Sequence, residues 1–125
     1  MSYSIPDFSE QQVSTVQQMI DARYKEDIEL QLADSEVQTD STILDTIVCP
    51  TLFWNARECN FVIMRTGEDQ YRAQYFYTPH DQYPTQQSYF TEIEDCAAAV
   101  LREQSDYERE AEGVKHDATT AVDIN

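Results

Sequence analysis

Between residues 43 and 77 the chain carries three runs of branched and aromatic side chains, at 43–54, 60–66 and 71–77, parted only by short polar stretches. Strands joined by so little chain pair with their sequence neighbours, so these runs predict an antiparallel meander. The connections are Asn55-Ala56-Arg57-Glu58 and Gly67-Glu68-Asp69-Gln70, and the second uses one of only two glycines in the chain.

Helical patterns flank the meander. Ser9 can cap a helix while Gln12 reaches back, and Val13, Val16, Ile20, Tyr24 and Ile28 follow at spacings of three or four, a stripe that predicts helix to about Leu32. Residues 33–42 break that period into a polar, oxygen-rich stretch expected to be a loop, although residues 37–48 also fit a short helix. Pro79 and Pro84 bracket an irregular segment. A second helix starts near Ser88 or Thr91, with a stripe of Ile93, Cys96, Ala97, Val100, Leu101 and Tyr107, and Gly113 is a natural stop. The expectation is α+β: one domain over residues 1–113, with two helices packed on one face of a small antiparallel three-stranded meander. Residues 114–125 are expected to form a flexible C-terminal tail.

Charge restricts what such a domain can bind. Twenty-four acidic residues against eight basic ones give a net charge of −16 on 125 residues. That field repels nucleic acid and anionic lipid and concentrates divalent cations and basic protein faces. No apolar run approaches the length of a membrane span, and the first ten residues lack a signal-peptide pattern, so a cytoplasmic protein without membrane contact is expected. Cys49, Cys59 and Cys96 are odd in number and form no Cys-x-x-Cys pair, which predicts reduced, buried thiols. His80 and His116 are the only histidines, no nucleophile motif is present, and two glycines cannot build a phosphate-cradling loop, so no enzyme is expected.

The acidic residues fall into separate concentrations. Residues 34–45 hold Asp34, Glu36, Asp40 and Asp45 with no Lys or Arg among them. A hard cation wants six to eight oxygen ligands on a flexible segment, so these four are candidate ligands for Ca2+. Their spacing follows an EF-hand rhythm only in part: Thr39 stands where the loop needs glycine, and Asp45 where a bidentate glutamate is expected. A looser calcium site and a simply solvated connection both fit. Glu68 and Asp69, with Asp81 nearby in sequence, are candidates for a second, weaker site, and a turn acidic for solubility fits equally. Glu103, Asp106, Glu108, Glu110 and Glu112 form another acidic run on the second helix, where Arg102 and Arg109 soften it. Tyr71, Tyr75, Tyr77, Tyr83 and Tyr89 are expected at the core and its edge.

The stretches Cys49-Pro50-Thr51-Leu52-Phe53-Trp54, Asn60-Phe61-Val62-Ile63 and Ala99-Val100-Leu101-Arg102-Glu103-Gln104 resemble the small acidic calcium-binding proteins of filamentous cyanobacteria linked to heterocyst differentiation. That resemblance implies a cytosolic protein that sequesters calcium at surface carboxylates outside the EF-hand class. The expected function is therefore a calcium buffer or regulator. The alternative is an acidic interaction module that mimics nucleic acid or docks on a basic protein face.

Overall fold

A computed structural model describes the backbone of residues 5–37 and 47–124 and the side chains of residues 5–36 and 48–111. The chain runs through helix α1 (Glu10–Arg23), strands β1 (Gln31–Val37), β2 (Ile47–Ala56), β3 (Cys59–Gly67), β4 (Gln70–Thr78) and β5 (Asp81–Pro84), and helix α2 (Ile93–Ile124).

Helix α1 begins where its cap residues require. Gln12 N donates to Ser9 Oγ at 3.1 Å and Ser9 N donates to Gln12 Oε1 at 2.9 Å, a complete capping box. It ends at Arg23, earlier than the apolar stripe predicts, because Tyr24 turns extended as the C-cap. Tyr24 and Ile28 remain buried even so. Their spacing serves the core from an extended segment that the Gln17 amide holds to the helix: Nε2 donates to Ile28 O at 2.8 Å and Oε1 accepts from Leu30 N at 3.2 Å.

Among the described residues the sheet has five strands in the order β1-β2-β3-β4-β5, and each neighbouring pair is antiparallel. This corrects the expected three-stranded meander. The extra edge strand β1 comes from residues assigned to the end of a helix and to an acidic loop, and it pairs with β2 along its whole length. Its sequence, QLADSEV, is a poor strand former by propensity, so pairing decides its state. The other addition, β5, lies in the segment between Pro79 and Pro84, where Tyr83 pairs with Tyr75.

Register places Leu52, Trp54, Ala56, Cys59, Phe61, Ile63, Tyr71, Ala73 and Tyr75 on one face. All of them are buried in one cluster with Val16 and Ile20 of α1 and Ile93, Cys96, Ala97, Val100 and Leu101 of α2. Trp54 stacks on Phe61 at 5.0 Å near the centre of that cluster. Helix α2 lies over β4 and β3 and packs beside α1, so among the described residues neither helix covers the helix-side face of β1. The helix passes through Gly113, a tolerated mid-helix glycine at a cost of about 1 kcal/mol. Among the described residues no helix is long and apolar enough to cross a membrane.

Candidate docking groove beside the edge strand

The strand assignment of β1 moves two candidate ligands out of the expected loop. Asp34 and Glu36 stand on β1 opposite Pro50 and Val48, and alternation puts both on the helix-side face, roughly 7 Å apart along the strand. Asp40 and Asp45 lie outside the described residues. Glu68 and Asp69 form the exposed tip of the β3–β4 hairpin, where the Arg65 guanidinium donates to the Glu68 carbonyl through Nε at 3.1 Å. Asp81 sits at the far end of β4, about 26 Å away along the strand, so it does not join that turn. Asp34 and Glu36 share an end of the sheet with Glu68 and Asp69 but are two strands removed, roughly 10 Å. Among the described residues no three His, Cys, Asp or Glu side chains converge as a metal-holding group.

What gathers around β1 is a mixed apolar and acidic groove. Leu32 pairs with core residue Leu52, yet it is 67% exposed because neither helix covers it. On one side of it lies a hollow of about 580 Å³ whose apolar wall is Phe8, Val13, Leu30 and Leu32, with Glu10 and Asp21 on the rim. On the other side lies a hollow of about 380 Å³ walled by Phe8, Leu32 and Pro50, with Asp7 and Asp34 on its rim. Among the described residues no Lys or Arg lines either one.

Side-chain contacts tie the floor of the groove together. Phe8 stacks on Tyr71 with ring centroids 6.3 Å apart, Gln12 Nε2 donates to the Tyr71 hydroxyl at 2.7 Å, and Arg65 Nη1 donates to Asp7 O at 2.8 Å. Arg65 is itself buried and lies 5.5 Å over the Tyr71 ring. One internal cation thus ties the residues before α1 to the β3–β4 turn while the groove's carboxylates stay in water.

The second acidic run is only partly an exposed face. Arg109 pairs with Asp106 at 3.2 Å, but Glu103 accepts from Gln86 N at 2.9 Å and Glu108 accepts from the Tyr77 hydroxyl at 3.3 Å and from Gln104 Nε2. Two of its carboxylates therefore hold the helix to the sheet region. The Gln104–Glu108 spacing of four was the sequence signal for that link. The three thiols are buried, and burial pushes Cys59 up to about 11 and Cys96 up to about 12, the opposite of an activated nucleophile. His80 is exposed in the β4–β5 turn, and the His116 side chain lies outside the described residues.

No protein-family model, no curated protein and no solved structure matches this chain.

Proposed function

We propose that the protein is a non-enzymatic acidic binding module that captures a basic protein segment bearing apolar anchors, laid along α1 and β1. The observation that supports this is Leu32, a large apolar side chain 67% exposed between two hollows whose charged rim residues, among the described residues, are all acidic. Covering an exposed leucine is worth roughly 1.5–3 kcal/mol, and rim carboxylates add encounter rate and selectivity for Lys and Arg flanks. The outer edge of β1 has no strand partner among the described residues and can take an added strand. The test is a synthetic peptide alternating Leu with Lys, titrated by fluorescence anisotropy. Leu32→Ser should weaken binding about tenfold, and a peptide with Glu in place of Lys should not bind. Equal binding by Leu32→Ser would overturn the groove.

A second reading, the calcium buffer or regulator, draws on the placement of Asp34 and Glu36 on one face of β1, at the end from which the chain enters residues 38–46 with Asp40 and Asp45. Calcium bound there should be lost in Asp34→Asn combined with Asp40→Asn and retained in Glu108→Gln with Glu112→Gln, as read by calorimetry against ionic-strength controls. Equal losses in the two pairs would leave only diffuse attraction.

A further inference from the structure

The opposite end of the sheet carries a different kind of site. A hollow of about 230 Å³ opens where the C-terminus of α1, the β2–β3 turn and α2 meet, and its charged lining is Arg23, Arg57 and Glu108. In a chain with only eight basic residues, two of them converge on one small cavity. Their guanidinium carbons lie 5.9 and 5.5 Å from the centroid of the Tyr24 ring, which is buried and fixed as the cap of α1. Arg23 also donates to the Tyr24 hydroxyl, and the remaining N–H donors of the two guanidinium groups are of the kind that grips a carboxylate.

The facing wall is negative and equally fixed. Gln104 is 4% exposed, and its Nε2 donates both to Glu108 and to the Tyr77 hydroxyl, which in turn donates to Glu108. These donors are neutral, so they orient the carboxylate without cancelling its charge. The ion pair found among the described residues is Arg109–Asp106, and neither Arg23 nor Arg57 is paired with Glu108 across the hollow they share. The Tyr24 phenol registers both signs. Burial raises it most, the Arg23 hydrogen bond and charge lower it, and Cys59 and then Glu108 raise it further.

A cation in this hollow meets two guanidinium groups, and an anion meets Glu108 as well as a molecule of net charge −16. A ligand carrying both charges, with no net charge of its own, satisfies each wall and is not repelled on approach. We propose that this hollow binds a small neutral α-amino acid, its carboxylate on the edges of Arg23 and Arg57 and its ammonium on Glu108.

The test is calorimetry and backbone amide shifts with glycine, alanine, serine, valine and glutamine, each alone at up to tens of millimolar. Ethylamine, propionate and inorganic phosphate serve as comparators. At least one amino acid should bind about tenfold more tightly than ethylamine and propionate, with shifts at Tyr24, Arg57 and Ser105. Arg57→Gly and Glu108→Gln should each remove about tenfold in that affinity. Arg57 has φ of 52°, which glycine adopts freely, so Arg57→Gly should keep or raise the Tm and its loss of binding cannot be unfolding. Binding of phosphate or propionate as tight as the amino acid, no binding by any of the five, or unchanged affinity in Arg57→Gly would each overturn the proposal.

Discussion

Arg57 and Glu58 occupy the two-residue loop between Ala56 and Cys59 with φ of 52° and 68°. Both positions positive is the signature of a type I′ hairpin turn, which favours Asn-Gly because a Cβ is crowded in the left-handed region. Neither residue here is small, so the turn stores strain. Glu58→Gly should therefore stabilise the protein by about 0.5–1 kcal/mol, the relief of strain exceeding the added freedom of the unfolded chain. A rise in the urea midpoint at constant m-value checks this, and a fall would mean that the Glu58 side chain contributes more than its backbone costs.

Among the elements, β1 depends most on its surroundings. It is an acidic edge strand of low intrinsic propensity, held on one side by β2 and led in by a segment whose Ile28 carbonyl and Leu30 amide are both bonded by Gln17. Gln17→Ala leaves two backbone groups without that partner and should cost about 1–2 kcal/mol. Hydrogen exchange should localise the loss to residues 28–36, and uniform loss across the sheet would show that β1 does not open separately. The groove proposed for docking is a property of this element, since Leu32 is exposed only because β1 projects beyond the helices.

Two of the three buried thiols, Cys59 and Cys96, lie in the same core as Trp54 and Phe61, while Cys49 is buried outside it on the other face of β2. Cys96 ionises near 9.0 in an unfolded chain, and burial pushes it up to about 12 in the fold. Above pH 9 the unfolded chain loses this proton first, so stability falls as pH rises from about 9 to about 12, at up to about 1.4 kcal/mol per pH unit for a single site. Burial raises Cys59, Tyr75 and Tyr77 also, and they add to the slope. Denaturant midpoints across alkaline pH should fall, and Cys96→Ala should flatten the fall. An unchanged slope in that variant would show that the thiol titrates alike folded and unfolded. Charge is also organised at this scale: among the described residues the charged lining of the groove at β1 is acidic, while Arg23 and Arg57 meet Glu108 at the other end of the sheet.

Local chemistry made the capping box at Ser9, the three central strands, the hairpin connections and the buried stripe of α2 from Ile93 to Leu101 legible in the chain, because each rests on neighbours within one turn or one strand. The exposure of Tyr107 was not legible there. The stripe of α1 was legible as core but not as conformation, since Tyr24 and Ile28 are buried from an extended segment. Edge strands β1 and β5 were hidden because a strand of weak propensity is defined by its neighbour's backbone, which no local pattern reports. Net charge was evident from composition, but its meaning was not. Asp34 and Asp7 meet across an exposed leucine, and Glu108 faces two arginines more than fifty residues away in the chain, only because the sheet and its two helices bring them together. The sequence by itself determined the core, the central meander and the sign of the molecular field through short-range patterning. Tertiary packing alone decided which charges stand beside which surfaces, because that depends on contacts between residues far apart in the chain.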